Sequence, residues 1–198
     1  MKRRRFIKTA VAGVSSIAIA GCMNTNSSER STEEEIKAEY RDYSDAELIN
    51  SVVEKYQESL NRLQSVNGTR SSFLELMRSR SYPVLNEELS RLETQASEAS
   101  SRYTTISAQI SLLEERSEED FATINTVVNS LRVTIQSAIR YLSDTRDAAE
   151  YVPSDNKEMF DEARIRASRD YSAFTQEQIN SRRPPLVSDF TTDAAVDI

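Results

Sequence analysis

The sequence predicts an all-α protein: an antiparallel up-down-up-down four-helix bundle, or a helical coiled coil with long helices. One observation is the scarcity of glycine, because only Gly68 lies beyond residue 21 of the 198-residue chain. Hairpin turns and barrel corners usually need Gly or Asn at positive φ, so this composition disfavours a multi-stranded β fold. The other observation is that apolar residues recur every three or four positions over most of residues 44–182, which is typical of amphipathic helices.

The first helical segment begins at Ser44, which has the spacing of a capping box with Glu47. Its apolar seam comprises Ala46, Ile49, Val53, Tyr56, Leu60 and Leu63, and the register continues to Leu74 and Met77. The seam is interrupted around Gly68, which lowers helix propensity by about 1 kcal/mol, so we expect a kink or a turn there. The segment is expected to stop at Tyr82, because a residue that precedes proline avoids the helical region.

The second segment has the most regular seam in the chain. Its members are Leu85, Leu89, Leu92, Ala96, Ala99, Tyr103, Ile106, Ile110 and Leu113. Their spacing alternates between four and three residues without a miss, which is a heptad pattern. Because such a seam can also be shared between two chains, a homo-oligomer is a further expectation.

The third segment follows a stretch without apolar residues. Its seam comprises Phe121, Ile124, Val128, Leu131, Ile135, Ala138, Leu142, Thr145 and Ala149. The register shifts by one residue after Leu113, and Ser117 with Asp120 has the spacing of a helix cap. These features favour a hairpin near residues 115–119. The alternative is one continuous helix over residues 84–150.

The last helix is predicted to follow Pro153, with Ser154 and Asp155 as its cap. Its looser stripe comprises Met159, Phe160, Ala163, Ala167, Tyr171, Phe174 and Ile179. Two prolines at 184 and 185 are expected to stop it. Residues 183–198 lack a periodic pattern and are predicted to form a disordered tail.

Residues 1–21 have the parts of an export signal, a basic head followed by an apolar stretch from Ala10 to Ala20. That stretch is too short for a membrane span, which needs roughly 20 residues. The basic head resembles a twin-arginine translocation signal, with Lys2 where that signal usually has Ser or Thr. The residues that carry the resemblance are Arg3, Arg4, Phe6, Ile7 and Lys8.

The end of the signal-like segment resembles a lipobox, where a lipoprotein is cleaved and lipidated. The matching residues are Ile19, Ala20, Gly21 and Cys22. The resemblance implies a two-chain lipid on Cys22, which would anchor the protein stably in a membrane. Residues 22–43 would then hold the lipidated cysteine, a flexible tether and a short helix from Thr32 to Tyr43, ahead of a helical bundle at 44–182. The alternative is a buried cysteine at the end of a short apolar helix.

The charge pattern also suggests a location. Loss of residues 1–21 would remove five basic and no acidic residues, which changes the formal net charge from −7 to −12. Such an acidic surface is unsuited to binding nucleic acid, and anionic lipid headgroups repel it. The lipid would therefore have to hold the protein at the membrane. With only three lysines beyond residue 21, the chain resembles haloarchaeal surface lipoproteins, and a bacterial lipoprotein is the alternative. We therefore expect a lipid anchor on the extracellular face of the cell membrane.

Two Asn-X-Ser/Thr triplets, at Asn26 and Asn67, are candidate glycosylation sites of a surface protein. For Asn67 the alternative is a helix interruption caused by Asn-Gly. The two interpretations of Asn67 carry equal weight at the level of sequence.

The residue inventory excludes several kinds of active site. With no His and a single Cys, the chain cannot build a His-based triad or a Cys/His zinc site on its own. Acidic clusters occur at 33–35, 87–88, 114–115 and 118–120, where we expect solvated helix faces and caps. We predict no catalytic residue, no metal site and no cofactor, and we expect that the protein is not an enzyme.

Some side chains could nevertheless bind a ligand. Four tyrosines lie on or beside the apolar stripes: Tyr56, Tyr103, Tyr141 and Tyr171. We expect them in the core with their hydroxyls reaching solvent, and a pocket between helices is the alternative. Small basic groups, which could receive an anion, comprise Arg78, Arg80, Arg164, Arg166 and Arg169. For the last three, ion pairing with Asp161 and Glu162 is the favoured interpretation.

The leading hypothesis is a lipid-anchored cell-surface protein whose helical bundle is a non-enzymatic structural or partner-binding module with an unidentified protein partner. The second hypothesis is an extracytoplasmic sensor or small-solute-binding bundle. An enzyme that uses carboxylates alone ranks last, because no acid pair occupies seam positions.

Overall fold

The computed structural model describes residues 28–117, 121–151 and 156–190, and it confirms the all-α helical bundle. Within these ranges the chain forms no strand. The helices are α1 (Ser28–Tyr40), α2 (Asp45–Gln64), α3 (Thr69–Arg78), α4 (Tyr82–Arg116), α5 (Ala122–Tyr151), α6 (Lys157–Asn180) and a 3-10 helix (Val187–Phe190).

Helices α2 and α4 pack side by side and are joined by ion pairs along their length. Asp45 at the start of α2 accepts a hydrogen bond from Arg116 at the end of α4, at 3.0 Å. Further along, Glu58 accepts one from Arg102 at 2.6 Å. Residue numbers therefore rise along α2 as they fall along α4, so the two helices run in opposite directions.

The next two neighbouring pairs show the same opposite order. Between α4 and α5, Glu114 accepts from Asn125 at 2.7 Å, and Glu93 accepts from Arg146 at 2.7 Å. Thr134 of α5 donates its hydroxyl proton to Ser181, just past the end of α6, at 3.0 Å, and Tyr141, two turns later in α5, contacts Tyr171, ten residues before Ser181. An up-down-up-down order of the long helices is our interpretation of these pairs.

The seams predicted for α4 and α5 form the centre of the core. All nine seam residues from Phe121 to Ala149 are buried, and so are those from Leu85 to Leu113 except Tyr103, which is half-buried. Helices α2, α3 and α6 add Leu63, Phe73 and Phe174 to the same apolar cluster. Each such side chain contributes about 1.5–3 kcal/mol to the free energy of folding when it is removed from water.

The buried face of α2 differs from the predicted seam in its first turns. Leu48 and Val52 are fully buried, whereas Ile49 and Val53 are half-buried and Ala46 is exposed. Adjacent positions lie about 100° apart on a helix, and here both members of each adjacent pair are apolar. The periodicity therefore could not decide which of them faces α4.

The interruption predicted around Gly68 is a turn between two helices. α2 ends at Gln64 and α3 begins at Thr69, with Gly68 between them at a φ of +81°. The predicted end at Tyr82 differs from the structure, because α3 already ends at Arg78 and Tyr82 is the first residue of α4. Pro83 is tolerated there because N–H groups in the first turn have no partner within the helix.

The connection from α4 to α5 agrees with the predicted hairpin, and the continuous helix over residues 84–150 is wrong. α4 ends at Arg116 and α5 begins at Ala122. The cap predicted at Ser117 is wrong, because Ser117 ends α4 with its N–H bonded to the Leu113 carbonyl and α5 begins five residues later; its predicted partner Asp120 lies outside the described residues.

α6 ends at Asn180, ahead of the two prolines, but its N-terminal cap and its last buried position differ from the prediction. Asn156 caps the helix, since its side chain accepts a hydrogen bond from the Met159 N–H at 3.3 Å; Ser154 and Asp155 lie outside the described residues. At the other end Gln178 is buried, and Ile179, assigned to the stripe, is 53% exposed.

The segment after α6 departs from the disordered tail expected at 183–198. Residues 187–190 form the 3-10 helix, in which Phe190 is buried with its ring 6.4 Å from that of Phe121. The backbone N–H of Leu186 donates to Asp189 at 2.8 Å. An aromatic contact and a local cap therefore order residues that lack any periodic signal.

The helix predicted from Thr32 to Tyr43 is α1, which begins four residues earlier and ends at Tyr40. It thus includes residues 28–31 of the predicted tether. Its Lys37 is buried and donates to Glu115 of α4 at 2.8 Å. This contact raises the pKa of Lys37 and lowers that of Glu115, so the pair stays charged at neutral pH.

We predict that Gly68→Ala lowers the free energy of unfolding by about 1–2 kcal/mol, because a Cβ disfavours positive φ. Steric clash does not contribute, since no atom lies within 4 Å of the added Cβ. Gly68→Asn is the matched control and should cost less, because Asn tolerates this region. Urea unfolding measures both variants, and an unchanged stability of Gly68→Ala would show that the turn does not require positive φ.

Candidate ligand pocket between α3, α5 and α6

The turn between α2 and α3 is held by two tyrosines from other helices. Tyr171 of α6 accepts a hydrogen bond from the Gly68 N–H at 2.8 Å. The hydroxyls of Tyr141 on α5 and Thr69 lie 3.1 Å apart. Since Thr69 donates its only hydroxyl proton to the Val66 carbonyl at 2.8 Å, Tyr141 is the donor in that contact.

The rings of these tyrosines belong to an aromatic cluster. Tyr141 lies 4.9 Å from Tyr171 and 6.2 Å from Phe73 of α3, measured between ring centroids. Burial raises the pKa of Tyr141 to about 12. The Tyr141 phenol is therefore protonated at neutral pH and remains a hydrogen-bond donor.

A cavity of about 320 Å³ lies beside this cluster, between α3, α5 and α6. Its inner wall is apolar and buried: Phe73, Met77, Tyr141, Ala148 and Ala167. Its outer wall is polar and includes Arg70, Arg164, Ser168, Arg169 and Ser172. The volume is at the lower end of the range for small-molecule pockets, about 300–1,000 Å³.

Three arginines surround the cavity, and no carboxylate is among its lining residues. Arg70 donates to the hydroxyl of Ser168 at 2.7 Å, and no carboxylate in the described ranges lies within ion-pair distance of it. Arg164 and Arg169 have acidic neighbours on their own helix, Asp161 at 3.7 Å and Asp170 at 3.1 Å. The rim of the cavity is therefore positive in a chain that is acidic as a whole.

A pair of carboxyl groups lies between α5 and α6. Arg166 donates to Asp144 at 3.2 Å and to Asp147 at 3.3 Å, and so is neutralised across the helix interface. Burial raises the pKa of Asp144, and the neighbouring Asp170 carboxyl raises it further, against the lowering effect of Arg166. These two acids thus neutralise the charge of Arg166. No acid that lines the cavity neutralises the rim arginines.

The structure separates the four predicted tyrosines. Tyr56 is buried in the core, where its hydroxyl donates to the Ser181 carbonyl at 3.0 Å. Tyr103 lines a different groove beside α1, in which Glu33 and Arg132 supply both signs of charge. Of the four, only Tyr141 lines the cavity, and Tyr171 supports the turn that precedes Arg70.

The predicted basic groups are separated as well. Arg164 and Arg169 line the cavity, whereas Arg166 does not, and Arg78 and Arg80 are exposed elsewhere. The expected pairing of Arg164 with Asp161 is present, and Arg166 has Asp144 and Asp147 as its acidic partners. Sequence reasoning missed Arg70, whose only signal was that it interrupts the apolar register just after Gly68.

The acidic clusters lie on helix surfaces where the structure describes them, and Glu33 and Glu115 both pair with Lys37. Among the described residues, no group of three or more acidic side chains is arranged to hold a metal ion. Asn67 is exposed, and its side-chain oxygen accepts a hydrogen bond from Tyr171 at 3.4 Å.

The remaining predicted sites lie outside the described residues. They comprise the twin-arginine-like residues, the lipobox with Cys22, and Asn26. In the described part of the chain, no helix combines the length and the apolar character that crossing a bilayer requires.

No protein-family model, curated protein or solved structure matches the chain. What it binds must therefore follow from its own residues, foremost the cavity and the N-terminal motifs.

We predict that Tyr141→Phe lowers the free energy of unfolding by about 1 kcal/mol, because it removes the hydroxyl that donates to Thr69. Tyr103→Phe is the control, since the described residues offer its hydroxyl no hydrogen-bond partner, and its effect should stay within about 0.5 kcal/mol. Chemical denaturation measures both. Equal effects of the two substitutions would show that the Tyr141 hydroxyl does not stabilise the turn.

We predict that Asp170→Asn lowers the pKa of Asp144, because it removes a neighbouring negative charge. In the wild type the pKa of Asp144 is raised above 3.8, so its contribution to stability is present below that pH and is lost as pH rises through the raised value. The variant should lose less of this contribution as the pH rises above 3.8.

An NMR titration of the Asp144 side-chain carbon measures the shift directly. Asp161→Asn is the control, because Asp161 lies on the same helix and pairs with Arg164. An unchanged Asp144 titration in Asp170→Asn would show that the two carboxyl groups do not interact.

Proposed function

We propose that the chain is a lipid-anchored, cell-surface helical protein whose bundle is a non-enzymatic structural or partner-binding module. The order of motifs supports this proposal: the twin-arginine-like residues come first, then a short apolar stretch, then the lipobox-like sequence ending at Cys22. The acidic composition supports an archaeal surface lipoprotein without affinity for nucleic acid.

The observation that carries the proposal is the attachment of α1 to the bundle. Lys37 bridges Glu33 and Glu115, and Arg116 of α4 donates to the carbonyls of Arg41 and Tyr43 at 2.6 and 2.7 Å. The helix that follows the proposed anchor is therefore fixed to α4.

The short distance along the chain adds a geometric limit. Five residues separate Cys22 from Ser28, the first residue of α1, and even a fully extended chain of that length spans only about 20 Å. A lipid on Cys22 would thus hold α1 and the adjoining part of α4 close to the membrane surface. This geometry fits a module that acts at the membrane.

The cavity between α3, α5 and α6 favours a second candidate function, an extracytoplasmic sensor or small-solute-binding bundle. It combines an apolar wall with a few convergent polar groups, which is the usual composition of a small-molecule site. This candidate is compatible with lipid anchoring, because α1 contacts Glu115 near the end of α4, whereas Tyr141, Thr145 and Ala148 line the cavity from the later turns of α5.

We predict that Cys22→Ser, expressed in a haloarchaeal host, leaves the membrane fraction or is processed differently, because its side chain cannot take the thioether-linked lipid. Fractionation and gel mobility measure both effects. If Cys22→Ser stays in the membrane at an unchanged size, the anchoring proposal is wrong.

A second pair of variants tests the export route. Arg3→Lys combined with Arg4→Lys should accumulate as an intracellular precursor, whereas Arg5→Lys, which lies outside the required pair, should be exported normally. Equal export of both would argue against the twin-arginine pathway.

A further inference from the structure

We propose that the cavity between α3, α5 and α6 binds a small organic anion with an apolar body, such as an aromatic carboxylate. The inference rests on the solute-binding candidate function and adds the chemical class of its ligand. It follows from the position of Arg70, the charge of the rim and the apolar inner wall.

Arg70 is the residue best placed to receive a carboxylate. Its guanidinium has five N–H donors, and the described contacts use one NH2 nitrogen, which donates to Ser168. The fork geometry of a guanidinium matches a carboxylate in a bidentate contact. Arg70 also lies in the first turn of α3, immediately after the turn that Tyr141 and Tyr171 hold.

The charge of the rim determines the sign of the ligand. Arg164 and Arg169 of α6 stand with Arg70 around the same cavity, while the nearby acids Asp144 and Asp147 face Arg166. Asp161 and Asp170 offset part of the charge of the two α6 arginines, but they do not line the cavity. A cation would meet three arginines there, and an anion would meet no lining carboxylate.

The apolar wall determines the body of the ligand. Phe73, Met77 and Tyr141 are buried behind the cavity, Leu74 is half-buried, and Ile165 at the edge is 63% exposed. A ligand body that covers Leu74 and Ile165 removes apolar surface from water, which contributes about 25 cal/mol for each Å². A bare inorganic anion would leave this surface uncovered.

Calorimetry on the full 198-residue chain tests the inference with 2-naphthoate as the anion and 2-naphthylmethanol as its neutral counterpart. We expect 2-naphthoate to bind about tenfold more tightly, the scale of a hydrogen bond to a charged group. Arg70→Gln should weaken 2-naphthoate binding by about the same factor and leave 2-naphthylmethanol unchanged. Arg78→Gln, an exposed arginine on the same helix outside the cavity, should leave both unchanged.

The possible results distinguish the anion inference from the solute-binding candidate function on which it rests. If both compounds bind equally and Arg70→Gln has no effect, the anion inference is wrong while solute binding stands. If neither compound binds to the folded chain, as judged by its helical circular dichroism, the inference is wrong. Lipid anchoring is unaffected in either case, because the Cys22→Ser experiment tests it separately.

Discussion

The break in the helix at Gly68 is the constraint on which the rest of the bundle depends. At a φ of +81° the chain leaves α2 and restarts as α3, and only glycine takes this conformation without a Cβ penalty. The turn exposes backbone groups, and the Tyr171 hydroxyl satisfies one of them, the Gly68 N–H. Tyr141 adds a contact to Thr69 from α5. Three separate helical segments thus meet at one turn, and their relative positions create the cavity beside it.

The ion pairs of the bundle decide which arginines have a carboxylate partner. The chain has 32 acidic and 25 basic residues, so most arginines can find a carboxylate. The ion pairs between α2 and α4 and between α4 and α5 are partly exposed, and each contributes little stability on its own. None of the acids in these pairs lines the cavity. Arg70 remains without a carboxylate partner among the described residues, where a ligand can reach it.

The sequence predicts the long helices well because α4 and α5 contain no glycine and keep strict three-and-four spacing, although α5 also buries Tyr141 and Ala148 beside its seam. It fails at the start of α2, because adjacent apolar residues at 48–49 and 52–53 do not determine which face of the helix is buried. It also fails at residues 187–190, where a single long-range contact of Phe190 orders the chain. The cavity could not be predicted, because Arg70 and Arg164 lie far apart in sequence and meet only through the relative register of α3 and α6. The break at Gly68 was predictable from composition, whereas the tyrosines that hold it were not.

Amide hydrogen exchange at Gly68 tests the central claim, that hydroxyls from other helices hold the α2–α3 turn. NMR resolves this amide, and the account predicts that it exchanges more slowly than in an unstructured peptide. It also predicts that Tyr171→Phe removes the protection and leaves the amide of Leu63, inside α2, unchanged. If Gly68 exchanges at the unstructured rate in the wild type, or if Tyr171→Phe leaves its rate unchanged, the tyrosine does not hold the turn and the claim is wrong.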